Sequence, residues 1–157
     1  MQTTFLPRYE VEEQGEGIYA FRTETGSIYS LQFIEYTYFD GLPIYIFNID
    51  RNQRTHQPAD STKIENTVGY VLSEFFHRID DAIFATCEVD DGMQRGRKRL
   101  FDRWLRHMND GTILTLTTRQ DTGDGIMTDA TLYYHRDNMY RLELERLFRE
   151  MIIEEQS

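Results

Sequence analysis

From Gly17 onward, apolar and polar side chains alternate with the two-residue period of a half-buried strand, Tyr19 and Phe21 standing out of phase with Ala20 and Arg22. Glu24-Thr25-Gly26 interrupts the run with a turn whose glycine can take positive φ. Beyond it, Tyr29, Leu31 and Phe33 share one face of a longer strand that runs into the aromatic stretch 36–39. Asp40-Gly41 breaks that strand, and Ile44 to Ile49 makes a third. Connections this short cannot hold a parallel crossover, so an antiparallel meander is expected.

After the polar segment 50–61 the period changes to that of a helix. Ile64, Val68, Val71, Leu72, Phe75, Phe76 and Ile79 fall on one side of it, Thr62 offers a cap with Glu65 in capping-box spacing, and Asp80-Asp81 closes it. Ala82 to Cys87 is too short and too apolar for a surface helix and reads as a central strand. Gly92 to Met108 predicts a second helix, and 112–118 and 126–134 predict two strands joined by the Asp- and Gly-rich turn 121–125. A third helix starts near Asn138 and sets Tyr140, Leu144, Leu147, Phe148 and Met151 on one face. The order β-β-β-α-β-α-β-β-α predicts an α+β fold, a mainly antiparallel sheet of about six strands with helices packed on one face. The 157 residues suit a single domain, 1–157, with its acidic ends, 1–16 and 153–157, frayed.

Composition narrows the function classes. Aromatic residues make up 13% of the chain, too much ring surface for a disordered protein. The net charge of −10 opposes attraction to nucleic-acid phosphates or an anionic membrane, so the expected partner is another protein or a second copy of the chain. The lone Cys87, the absence of a basic-then-apolar leader at Met1–Pro7 and of any run approaching the ~18 apolar residues of a span give a cytoplasmic expectation. Phosphate loop, nucleophile elbow and dinucleotide fingerprint are missing, and the four histidines are scattered. Asp90-Asp91-Gly92 and 121–125 read as Asp-Gly turns, so no metal or cofactor is expected. Tyr36, Tyr38, Tyr45, Phe47, Tyr133 and Tyr134 occupy both parities of their strands, so some are expected to face outward unless helices cover both sheet faces.

The second helix holds the least expected residue. At about 100° per residue, Phe101, Trp104 and Met108 lie within ~40° of Arg97, which therefore sits in the middle of the apolar face. An unpaired guanidinium there costs several kcal/mol, so Arg97 either pairs with a carboxylate, snorkels out along the rings, or lines a pocket for an anionic group. Asp90, Asp91, Glu35 and Asp129 are the candidate partners. Residues 92–108 carry six basic side chains against Asp102, a balance of +5 that leaves −15 for the rest of the chain. Arg95, Arg99 and Arg106 lie opposite Arg97, as an outward basic stripe that either is solvated and paired with neighbouring acids or contacts an acidic partner.

Tyr19-x-Phe21-x-Thr23-x-x-Gly26-x-x-Tyr29-x-x-x-Phe33, then Phe75-Phe76, then Cys87 with Asp91-Gly92, Gln94, Arg97, Phe101 and Trp104, resembles a family of small bacterial proteins, chiefly from Bacteroidota, defined as a domain of unknown function. The likeness spans 17–150; Met139 follows Asn138 where the family pattern favours proline, which bears on the start of the third helix. The resemblance implies a fold and a bacterial cytosolic setting, and no mechanism. The reading favoured by the residues themselves is a non-enzymatic binding or interaction protein, self-associating, with a site at Asp91, Gln94 and Arg97 and with Arg95, Arg99 and Arg106 steering an acidic partner. The alternatives are an enzyme using Arg97 as anion clamp on a phosphorylated or carboxylated substrate, and nucleic-acid binding through the basic stripe.

Overall fold

The computed structural model describes residues 6–36, 41–52, 59–88, 101–106, 110–121 and 127–156. Its centre is a seven-stranded sheet: β1 (Glu12–Gly15), β2 (Ile18–Arg22), β3 (Ile28–Glu35), β4 (Ile44–Asn52), β5 (Ala82–Glu88), β6 (Ile113–Asp121) and β7 (Met127–His135). The spatial order is β1-β2-β3-β4-β5-β7-β6. Helix α1 (Ser61–Phe75) follows β4, residues 101–106 belong to α2, and α3 is Arg141–Gln156. The fold is α+β, and every strand pair is antiparallel except β4 with β5, whose crossover contains α1.

The meander is the predicted one with a strand added at its outer edge. Gly17 turns β1 into β2 at φ +73°, and its carbonyl accepts from Phe33 N–H at 2.9 Å. A Cβ on Gly17 would lie 3.1 Å from the Phe33 carbonyl, so position and conformation both select glycine. Tyr9 is buried, its N–H donates to Thr67 Oγ1 at 2.9 Å, and Asn66 Nδ2 donates to the Pro7 carbonyl at 2.9 Å. At the other end, α3 runs to Gln156.

The first helix starts earlier than the Thr62 cap predicts. Asp60 is its N-cap, its Oδ1 accepting from Lys63 N–H at 3.2 Å, and Glu65 is buried. The helix ends at Phe75, so Ile79 lies in the following turn and is exposed. At α3, Asn138 Oδ1 accepts from Tyr140 N–H at 2.8 Å, and Leu144 and Phe148 are buried as the periodicity requires. The side chain of Met151 lies outside the described residues.

Helices cover both faces of the sheet, where one covered face was expected. Under α1 and α2 runs a ribbon of rings: Tyr9 stacks on Phe21 and Phe21 on Tyr29, while Phe33 meets Phe75 and Phe47, Phe47 meets Phe101, and Phe101 meets Tyr133. On the opposite face α3 closes a second core of Ile44, Ala82, Phe84, Leu132, Tyr134, Leu144 and Phe148. This two-sided cover answers the question of the strand aromatics. Tyr133 and Tyr134 point to opposite faces and both are buried, Tyr45 and Phe47 pack on the first core, and Tyr36 packs on the second. Tyr38 lies outside the described residues. Among the described strand residues, the large apolar side chain left exposed is Ile34, which stands opposite Ile46 in the β3–β4 register.

Candidate functional site

The sequence places the candidate site where β5 leads into the second helix, and the sheet is irregular there. β4 and β5 pair at Ile44 with Ala82 and Tyr45 with Ile83, and the described register goes no further. From Phe84 to Glu88 the ladder of β5 is with β7. Phe101 occupies the junction on the α2 side, its ring centroid 5.4 Å from that of Phe47 on β4 and 4.8 Å from that of Tyr133 on β7.

α2 is two-sided, as the wheel predicts. Phe101, Trp104 and Leu105 are buried, whereas Arg103 and Arg106 are exposed. Asp102 accepts from the Tyr133 hydroxyl at 2.6 Å, fixing the helix to β7, the strand next to the β6 edge. Burial, with the Asp102 carboxylate beside it, pushes the Tyr133 phenol well above its ordinary range, so it stays a donor. Arg103 Nε lies 2.9 Å from Glu65 Oε1, an ion pair tying α2 to α1 at the rim of the core. Arg106 makes no ion pair among the described residues.

Of the sequence-predicted site residues, Arg106 is described and is exposed. Asp91, Gln94, Arg95, Arg97 and Arg99 lie outside the described residues, as does Asp90. Of the two remaining carboxylates considered for Arg97, Asp129 is engaged by Arg119 through a two-pronged contact of 2.8 and 3.3 Å, and Glu35 is exposed at the end of β3. Among the described residues no group of three histidine, cysteine, aspartate or glutamate side chains could hold a metal. No helix among them is long and apolar enough to cross a membrane.

Sequence reasoning missed a recurring contact, a tyrosine hydroxyl donating to a carboxylate. Besides Tyr133 with Asp102, Tyr134 donates to Glu145 Oε2 at 2.5 Å on the α3 side, and Tyr9 donates to Glu24 in the β2–β3 turn. Glu24 also accepts from Asp60 N–H at 3.0 Å, so one carboxylate joins the N-terminal segment, the turn and the cap of α1. The Tyr9 hydrogen bond, followed by Glu24's own amide, the Asp60 amide and then Lys63, holds the Glu24 carboxyl below the usual carboxylate range. The adjacent Tyr133-Tyr134 pair, facing opposite ways on a strand, was the available signal, because a buried phenol must find an acceptor.

The family of unknown function DUF6169 matches over residues 60–150, from the cap of α1 through most of α3. The chain belongs to that family. The DUF6169 segment therefore contains α1, β5, α2, β6, β7 and most of α3, with the β4–β5 junction at its border. No curated protein and no solved structure matches the chain.

Proposed function

We propose that this DUF6169 protein is a non-enzymatic binding protein that meets an acidic protein partner at the outer face of α2 and the neighbouring Asp91, Gln94 and Arg97. The observation that carries the reading is the two-sidedness of α2. Its apolar side is locked onto the ring ribbon, so the guanidinium of Arg106 is presented outward on a rigid support. A fixed cation of this kind steers an anionic surface, whereas the rest of the chain, at −15, repels one. The irregular β4–β5 junction supports placing the contact at this end of the sheet, next to the residues that follow β5.

The test is fluorescence anisotropy of a labelled oligo-glutamate peptide with the full chain at low salt. Binding that weakens with salt and is lost in an Arg99→Glu/Arg106→Glu double variant is the expected result. A wild-type chain that leaves the anisotropy unchanged, or one that prefers a DNA duplex of equal charge, would overturn the reading.

A further inference from the structure

The seam between α1 and the β1 end of the sheet brings two tyrosine–glutamate pairs to one cavity. On the sheet, Glu13 of β1 stands directly opposite Tyr19 of β2 in the antiparallel register. On α1, Tyr70 and Glu74 are four residues apart and so share one side of the helix. Together with Val11 and Val71 these side chains line a cavity of about 210 Å³. Both rings are positioned by the chain itself. Tyr19 meets Phe33 edge-on with 6.2 Å between ring centroids, and the Arg8 guanidinium lies 3.7 Å from the centroid of Tyr70, so this ring already holds a cation of its own chain. Burial first, and then the charges of Glu13 and Glu74, raise the Tyr19 phenol above its ordinary range, so the ring stays neutral while both carboxylates act on it. Glu13 makes no ion pair among the described residues, and Glu74 lies 3.5 Å from His77 Nδ1.

We infer that this cavity binds the head of an alkylated ammonium cation, a nitrogen that carries methyl groups in place of N–H. The site goes beyond the acidic-partner reading, since it takes the opposite charge and lies at the β1 side of the fold. Each wall selects that chemistry. The tyrosine rings attract positive charge through their faces, and the two carboxylates balance it. Val11 and Val71 give methyl groups an apolar contact but offer no acceptor to an N–H, so a primary ammonium would leave donors unmet against them. A calcium ion fits less well, because two carboxylates fall far short of the roughly six to eight oxygens that it takes. At about 210 Å³ the cavity is smaller than the ~300 Å³ at which pockets for whole drug-sized ligands begin, so it encloses a head group and leaves the rest of the ligand in solvent. The chain's net charge of −10 draws a cation toward it. Two sources carry such a head: a free small molecule of the choline type, and a trimethylated lysine side chain.

NMR of the tyrosine rings in the full chain, followed during titration with choline chloride, tests the inference. Saturable shifts at Tyr19 and Tyr70 with a Kd on the order of 1 mM are the expected result. The neutral isostere of choline, with carbon in place of the nitrogen, and sodium chloride at equal ionic strength should leave both rings unmoved. Tyr70 and Glu74 are both exposed, so Tyr70→Leu and Glu74→Gln should keep the thermal unfolding of the wild type. Each should weaken choline binding by about two- to fivefold. Neither should alter oligo-glutamate binding, so the two sites fail or stand separately. A trimethyllysine peptide that binds more tightly than choline would assign the head to a modified side chain, and the reverse order would assign it to a free small molecule. Rings that choline leaves unmoved, equal shifts with the neutral isostere, displacement of choline by calcium chloride at equal ionic strength, or an affinity that both variants leave intact would each overturn the inference.

Discussion

Phe101 is the side chain whose removal probes the architecture most directly, because it joins β4, β7 and α2. It is 8% exposed, contacts the rings of Phe47 and Tyr133, and sits where the described pairing of β4 with β5 ends. Phe101→Ala deletes a buried ring and leaves a cavity bounded by a sheet that cannot collapse without breaking strand pairs. The cost of such a truncation is about 3–5 kcal/mol, and rigid walls argue for the upper half of that range. Against a total stability of about 5–15 kcal/mol this is a large fraction, equivalent to a fall in Tm of roughly 10 °C for a chain of this size. Trp104, the single tryptophan, is buried on the same helix and reports α2 docking directly. Urea unfolding followed in parallel by tryptophan emission and far-ultraviolet circular dichroism should show coincident transitions, both shifted, with Phe101→Leu losing much less. A loss below about 1 kcal/mol for Phe101→Ala would refute the view that α2 is part of the cooperative core. A red-shifted Trp104 with an unchanged dichroism midpoint would show instead that α2 undocks independently.

Tyr133→Phe keeps the ring contacts but removes the bond to Asp102, and should cost about 1.5–3 kcal/mol in urea titrations, as expected for a buried donor to a charged acceptor. Gly17→Ala should destabilise by about 1–2 kcal/mol, since a left-handed φ of +73° is combined with a close approach to the Phe33 carbonyl, and differential scanning calorimetry would register it. Because the folded-state pKa of Glu24 is lowered, its contribution is complete above the ordinary carboxylate range and is lost as pH falls through the lowered value. The exchange protection factor of the Tyr9 amide, whose N–H is held by Thr67, should accordingly fall in acid in wild type and be low already at neutral pH in Glu24→Gln.

The meander, the central strand Ala82 to Cys87 and the buried face of α3 were legible because each rests on a run of apolar side chains whose period survives burial. β1 was illegible for the opposite reason. Glu12-Glu13-Gln14-Gly15 has no apolar alternation, and it is a strand because Tyr9 and Pro7 are anchored to α1 and Gly17 turns the chain back. The start of α1 was misplaced because Asp60, Ser61 and Thr62 are all competent caps and the choice falls to tertiary contacts, here the Asp60 amide held by Glu24. At the candidate site, the outward set of Arg106 followed from angular spacing alone. The partners of Arg103 and Asp102 did not, since Glu65 and Tyr133 are distant in sequence and their pairing depends on how α2 crosses α1 and β7.

The tyrosine–carboxylate contacts also bear on how an acidic chain can keep Arg106 of α2 outward. A carboxylate at the rim of a core needs a donor, and where that donor is an arginine a cation is lost from the surface and two ions are desolvated. A phenol supplies the bond without either consequence, because it is neutral and its ring is buried for packing in any case. Asp102 on α2 is held this way, and Glu145 on α3 is held by Tyr134 with Arg141 in a looser contact of 3.4 Å. On α2, the bond that joins Asp102 to the sheet comes from a neutral donor, so that bond itself draws no arginine from the surface of the helix. Arg103 is the exception, drawn to the buried Glu65 of α1, and Arg106 one turn on remains outward. Replacing Tyr133 with Phe therefore tests more than stability. If Asp102, deprived of the phenol, recruits Arg106, oligo-glutamate binding should weaken in the folded variant, whereas a purely packing role for Tyr133 would leave that binding unchanged.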